Sequence, residues 1–190
     1  MGYFIAIEGL DGIGKSTVVK HLAKVFCGHP MRTSSEALHE SCKMIMEAFA
    51  GDELAKALFY SARVSSQGRH ARSLTEGGEW VFMDRYWSST IAYAKARGVT
   101  ANLDHLSKSM IQPDMTILLL LHESERQRRL HARGATVEDV ETLDRSFRQC
   151  VLNELKARAS LVVDISDHGP MATTQMLENI IRKELTVSRV

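Results

Sequence analysis

With 190 residues the chain is long enough to bury a substantial core and fits a single domain. Hydrophobic residues make up 44% and charged residues 25%, ordinary usage for a folded protein, which argues against a disordered or fibrous chain. A formal net charge of +1 argues against a generic nucleic-acid or membrane-surface binder and leaves room only for a local basic patch. Cys27, Cys42 and Cys150 are scattered and odd in number, with no CxxC pair, and read as reduced thiols. With a first strand predicted from residue 3 no leader is expected, and the longest apolar run, 115–121, is far short of the roughly 20 residues that cross a bilayer. A cytoplasmic protein is expected, with neither a membrane nor a nucleic-acid polymer as partner.

Residues 3–8, YFIAIE, are aromatic and β-branched and predict a strand; the glycine-rich stretch after it opens an apolar-periodic helix over 16–26. Residues 28–35, with His29, Pro30 and a run of small hydroxyl residues, read as a loop with room for a brief strand. A helix is expected over 36–50, then Gly51 and Asp52 break the chain and cap a longer helix that runs to about residue 75 and stops at Gly77 and Gly78. Residues 80–84, WVFMD, predict a strand ending in an acid, and a helix over 88–97 ends at Gly98. Gln112, Pro113 and Asp114 introduce a strand over 115–121, and a strongly basic helix over 124–133 ends at Gly134. The polar, acidic stretch 134–141 is the one candidate mobile insert. A helix over 142–159, a strand over 161–165 and a helix over 171–185 complete the pattern.

Strands alternating with helices require crossovers that pass over a parallel sheet, so the class is α/β. No repeat or shift of composition marks a second domain, and one domain over 1–190 is expected.

Residues 9–16, GLDGIGKS, match the pattern GxxxxGK[ST] between a predicted strand and a predicted helix. Glycines let successive backbone N–H groups face an anion, and the helix that follows adds the positive end of its dipole. The motif predicts the three-layer P-loop NTPase sandwich, a five-stranded parallel sheet with helices on both faces. Gly9, Asp11, Gly12, Gly14, Lys15, Ser16 and Thr17 are the candidates for binding ATP. Lys15 is placed to reach the β- and γ-phosphates and Ser16 to hold magnesium. A chance glycine-rich turn is the competing reading, against which the flanking strand and helix both weigh. The motif specifies the nucleotide and not the reaction. An Asn-Lys-x-Asp motif of the guanine-selective GTPases is absent from the sequence.

Asp84, Arg85 and Tyr86 stand where a buried strand meets solvent, at the carboxyl edge where α/β sheets bind ligands. Asp84 suits a magnesium-bound water and Arg85 a bidentate phosphate clamp, the plainer reading being a surface ion pair. In FIAIEGLDGIGKST at 4–17, LFYSARV at 58–64, DRYWSSTIAY at 84–93 and QPDMTILLL at 112–120 the sequence resembles the thymidylate kinases, over most of its length.

The resemblance implies an ATP- and magnesium-dependent nucleoside monophosphate kinase, with dTMP to dTDP as its first reading, acting on small-molecule nucleotides as a cytoplasmic homodimer. It implies that Asp11 contacts the acceptor sugar, Phe59 stacks on the acceptor base, Arg63 hydrogen-bonds the base edge and Thr90 faces the base. It also implies that Tyr93 lies near the sugar and disfavours a 2′-hydroxyl. The spacing is compatible, because Phe59 and Arg63 lie four apart on one helix face. Residues 126–134, RQRRLHARG, resemble the helix that leads into the family's lid, here a small segment at about 134–141. Arg129 and Arg133 are the candidates to close over the transferred phosphoryl group; solvated surface arginines are the plainer reading.

Two departures stand out. Family members generally carry an arginine in the phosphate loop or in the lid, whereas this loop reads LDGI at 10–13 and the stretch after Gly134 is acidic. Either Arg129 or Arg133 takes that place, or the lid is weak. The family's Arg-Glu-Pro-Gly segment is also absent between Phe26 and Glu36, where Arg32 is the available replacement. Two alternatives remain open. One is a kinase of another acceptor, a modified pyrimidine nucleotide or a nucleoside, for which only the unanchored Glu36 and Glu40 offer a base. The other is a nucleotide-dependent binding module, which needs no pocket of Phe59, Arg63 and Tyr93.

Overall fold

A computed structural model of the chain describes residues 2–32, 39–134 and 137–187. Five strands, β1 (Phe4–Glu8), β2 (His29–Arg32), β3 (Val81–Asp84), β4 (Met115–Leu120) and β5 (Leu161–Asp164), form one parallel sheet in the order β2-β3-β1-β4-β5. The central strand β1 is buried along its whole length and apolar up to Glu8, as a strand covered on both faces must be. Its side chains alternate between two cores. Ile5 and Ile7 pack with α1 (Lys15–Val25) and α9 (Pro170–Val187), through Val18, Leu22, Leu177 and Ile181. Phe4 and Ala6 pack with α3 (Glu53–Glu76) and α4 (Trp87–Ala96), through Ala57, Val64, Ala71 and Ile91. The fold class is the expected α/β sandwich.

The region 28–35, read as a loop with room for a brief strand, supplies β2, the edge strand; Pro30 is tolerated there because only one side of the strand has a ladder to complete. The helix expected over 36–50 is α2 (His39–Ala48), its first three residues lying outside the described ones. Asp52 caps α3 by accepting a 2.8 Å hydrogen bond from the Ala55 N–H, a contact worth about 1 kcal/mol. The helix expected from residue 142 begins later, as α8 (Arg145–Arg158), because Asp144 accepts from the Phe147 N–H at 2.7 Å and stops it from extending backwards. The acidic stretch contains a short helix, α7 (Val137–Glu141), and residues 135–136 lie outside the described ones. The basic helix is α6 (Glu123–Arg133), and α5 (Asp104–Ser107) is a single turn that no periodicity announces. Among the described residues no helix is long and apolar enough to cross a membrane.

Gly68 lets α3 lie directly against Tyr86, the residue that follows the Asp84-Arg85 pair. A Cβ at Gly68 would collide with the Tyr86 hydroxyl and come within 3.3 Å of the Ile111 Cβ, while that hydroxyl donates to the Ile111 carbonyl at 2.9 Å. Alanine would gain up to about 1 kcal/mol in helix propensity, but overpacking a rigid ring costs about 1–3 kcal/mol and dominates. Gly68→Ala should therefore lower the unfolding free energy in urea by roughly 1–2 kcal/mol, and Tyr86→Phe in the same chain should recover part of the loss.

Candidate active site

Between β1 and α1 the chain reverses in a loop whose glycines adopt backbone angles closed to other residues. Gly12 has φ 85°, and a Cβ there would press within 2.9 Å of the Leu130 side chain on α6. Gly14, with φ 98°, starts α1 by accepting at 3.1 Å from the N–H groups of Thr17 and Val18. Lys15 is buried and folds back on the loop, donating to the Leu10 carbonyl at 2.7 Å. Burial, with Arg85 nearby, pulls its pKa down to about 8 against the opposing pull of Asp11, Asp84 and Glu8.

Parallel pairing sets Ile7 of β1 opposite Asp84 of β3, and the Arg85 N–H donates to the Ile7 carbonyl at 3.0 Å. Arg85 takes φ 64°, a left-handed conformation that costs a branchless side chain of order 1 kcal/mol. Glu8 holds this turn in place. Its buried carboxylate accepts from the Tyr86 N–H at 2.9 Å, from the Ser89 N–H at 3.3 Å and from the Ser89 hydroxyl. Burial raises the Glu8 pKa, with the Ser89 hydrogen bond and Arg85 opposing it.

The Ser16 hydroxyl donates to one Asp84 oxygen, and the other, Oδ1, is buried with no hydrogen-bond partner among the described residues. A buried carboxylate oxygen without a described partner, beside a hydroxyl on a phosphate loop, is a donor set suited to a hard divalent cation. No group of three or more His, Cys, Asp or Glu capable of holding a metal occurs among the described residues, so a cation here would draw its other ligands from phosphate and water.

Asp11 is where the two halves of the site meet. Its carboxylate lies 2.7 Å from Arg85 Nη2 and 3.8 Å from Lys15 Nζ, and accepts from the Tyr93 hydroxyl at 3.3 Å. Burial alone would raise its pKa; Arg85 and Lys15 override burial and hold it well below the usual carboxylate range. Tyr93 in turn accepts from Arg85 Nη2 at 3.3 Å, and burial pushes its hydroxyl up to about 12.

The arginines of α6 divide. Arg129 donates to Glu125 at 2.7 Å and to the Ile13 carbonyl of the phosphate loop at 3.2 Å. Arg133 pairs with the buried Asp139 at 2.7 Å and is half exposed. Arg126, which sequence reasoning did not single out, is fully buried: it donates to Glu123, to the Thr142 hydroxyl and carbonyl, and to the Asp11 carbonyl at 3.2 Å.

A cavity of about 410 Å³ is lined by Asp11, Gly12, Gly14, Lys15, Ser16, Thr17, Arg32, Asp84, Arg85, Arg129 and Arg133. Gly9 is not among its lining; its φ of 146° and a Cβ that would fall 2.8 Å from the Leu119 carbonyl oxygen reserve the position for glycine. Phe59, Arg63, Thr90 and Tyr93 also lie outside the lining, although Tyr93 reaches it through Asp11 and Arg85. Phe59 and Arg63 do meet, with the guanidinium carbon 5.5 Å from the ring centre, and Thr90 sits half-buried on α4. The residues that sequence reasoning missed are Glu8, Ser89 and Arg126. Only Glu8 carries a signal, as a lone acid closing an otherwise apolar strand.

Residues 7–174 match the family model of thymidylate kinase. A probable thymidylate kinase of Archaeoglobus fulgidus is 32% identical over 172 residues, 85% of this chain and 86% of that protein. A probable thymidylate kinase of Pyrobaculum aerophilum is 30% identical over 188 residues, 94% of this chain and 96% of that protein. The solved thymidylate kinase of Candida albicans superposes with a TM-score of 0.78 at 22% identity, covering 96% of this chain and 92% of that one, a likeness of fold. The chain belongs to the thymidylate kinase family.

The lowered pKa of Lys15 sets two pH dependences. Only the ammonium attracts phosphate, so affinity for a non-hydrolysable nucleoside triphosphate should fall roughly tenfold between pH 7 and pH 9 in titration calorimetry, and Lys15→Met should flatten that dependence. Lys15 binds its proton less tightly in the folded chain, with a pKa of about 8 against 10.5. Its burial therefore costs stability in full below about 8, and the cost is relieved as pH rises towards 10.5, so stability should rise through that window.

Proposed function

We propose that this member of the thymidylate kinase family transfers the γ-phosphoryl group of magnesium-bound ATP to the phosphate of a nucleoside monophosphate, dTMP first, giving ADP and the diphosphate. The observation that carries the reading is the charge around one cavity: among the described residues Lys15, Arg32, Arg85, Arg129 and Arg133 face it with only Asp11 and Asp84 in opposition. Such a wall suits two polyphosphate anions brought end to end.

In this reading an acceptor phosphate oxygen attacks the γ-phosphorus as the bond to the β–γ bridging oxygen breaks. The acceptor is already an anion, so no side chain has to take a proton, and positioning with charge neutralisation does the work. Gly12, Gly14 and Thr17 offer the loop backbone to the ATP phosphates and Lys15 their countercharge. Arg85 clamps the acceptor phosphate from its strained turn, and Arg32, at the end of β2 opposite Asp84, stands in for the missing Arg-Glu-Pro-Gly segment. Ser16 and Asp84 would hold the magnesium. Magnesium, when bound, neutralises charge across the β- and γ-phosphates.

Arg129 and Arg133 serve a small lid at about 134–141, within one domain spanning 1–190. Arg129 is the better placed to replace the loop arginine, because it already touches the Ile13 carbonyl. Asp11 and Tyr93 face the acceptor sugar, Phe59 and Arg63 its base, with Thr90 beside them. A cytoplasmic homodimer completes the reading; Leu54 and Leu58, exposed four residues apart on α3, supply apolar surface for a partner copy, which light scattering would detect.

A panel of nucleoside monophosphates and nucleosides with ATP and magnesium, scored for acceptor-dependent ADP release, tests the function directly; release with no acceptor preference, or only slow basal hydrolysis, would sink it. Arg85→Ala should raise the acceptor KM and lower kcat together, by a combined factor of about 10³ in kcat/KM, and an effect confined to the ATP KM would move Arg85 to the donor side. Arg63→Ala should relax selectivity for dTMP over dUMP and dCMP about tenfold, whereas Phe59→Ala should weaken all three alike, since stacking needs only a flat ring. Competition assays compare the two variants; unchanged selectivity in Arg63→Ala would mean the base is read elsewhere.

A further inference from the structure

Beyond the cavity wall, α4 ends in a contact that ties three elements together. Arg97 caps the helix and its guanidinium forks onto Glu141, with Nη2 2.6 Å from one carboxylate oxygen and Nε 3.2 Å from the other. Its Nε also lies 3.7 Å from Glu53, the first residue of α3, the helix that carries Phe59 and Arg63. The same guanidinium carbon stands 5.6 Å from the centre of the Tyr93 ring, which has Arg85 at 5.1 Å. Tyr93 thus has two cations within 6 Å of its ring centre, one of which lines the cavity and one of which does not.

The neighbour of Glu141 makes a matching grip. Thr142 accepts from buried Arg126 through both its hydroxyl and its carbonyl, and Arg126 donates to the carbonyl of Asp11. Two adjacent residues on the chain returning from α6 therefore hold two guanidiniums whose contacts converge on Asp11. One path reaches its backbone directly and the other reaches its side chain through Tyr93.

We infer that Arg97, tied to Glu141, is a positioning residue for the acceptor side of the cavity: it fixes the Tyr93 ring against Arg85 and makes the Asp11-Arg85-Tyr93 geometry depend on where the returning chain lies. The inference rests on the proposed reading of those three residues as acceptor-side groups. Arg97 itself does not line the cavity, so it acts through Tyr93 and not on substrate. A bidentate fork restricts orientation as well as distance, which a single lysine contact could not do.

Steady-state kinetics with dTMP and ATP on Arg97→Ala, Glu141→Ala, the two combined, and the exchanged pair Arg97→Glu with Glu141→Arg test this. The dTMP KM should rise about tenfold in each single variant and no further in the combined one, with the ATP KM within about twofold of wild type and partial recovery in the exchanged pair. An unchanged dTMP KM, equal rises in both KM values, or additive losses would overturn the inference. Glu141→Ala guards against an Arg97 variant that does not fold, because the Glu141 side chain is already 36% exposed. A wild-type protein that phosphorylates no nucleoside monophosphate would instead refute the proposed function, and hydrogen exchange without substrate then decides: protection should fall at 90–97 and at 10–15 together in both single variants. Loss of protection confined to the end of α4 would overturn the tie.

Discussion

The parallel pairing of β1 with β3 is the constraint on which the site depends. By setting Ile7 opposite Asp84 it brings the phosphate loop, which leaves the end of β1, beside the Asp84-Arg85 turn, which leaves the end of β3. Neither loop can reach the other's partners without it. A slip of one residue would turn Asp84 to the opposite face of the sheet and break its contact with Ser16. The pairing is itself secured beyond the ladder by Glu8, whose carboxylate takes three hydrogen bonds from the start of α4. Removing a charge from water is expensive, and those three donors are what make the burial of Glu8 tolerable.

Electrostatics then follow from crowding. Asp11 sits within 4 Å of both Arg85 and Lys15, all three largely removed from water, so each shifts the others. Asp11 stays ionised throughout the ordinary pH range, and Lys15 gives up its proton more readily than a solvated lysine. A cluster with surplus positive charge and a lysine held on a carbonyl at 2.7 Å is organised before any phosphate arrives. Preorganised charge of this kind is the form of stabilisation that phosphoryl transfer uses most.

The basic helix α6 illustrates how one run of like residues separates into different tasks. Arg128 points to solvent and pairs with Glu125, Arg129 touches the phosphate loop, Arg133 meets Asp139, and Arg126 is sealed beneath the loop with its donors occupied. An exposed pair such as Arg128 with Glu125 adds little to stability, whereas loss of a partner of Arg126 would leave a buried charge uncompensated. The loop's rigidity therefore has a source outside its glycines.

The sequence by itself determined the alternation of strands and helices, the phosphate loop and the position of Asp84-Arg85 at a strand end. These are encoded in short-range periodicity and turn chemistry, and a glycine pattern between a strand and a helix has few other structures to adopt. Helix ends were legible where a cap stood out, as at Asp52, and misjudged where it did not, as at Asp144. Only the tertiary structure decided that 29–32 joins the sheet, that β1 is central, that Glu8 anchors α4 and that Arg126 is the arginine of α6 to be buried. Each of these depends on partners far apart in the chain. Glu8 lies 78 residues from Tyr86 and Arg126 lies 115 from Asp11. Whether a charged side chain is solvated or buried is settled by the groups that surround it after folding, and no local pattern contains them.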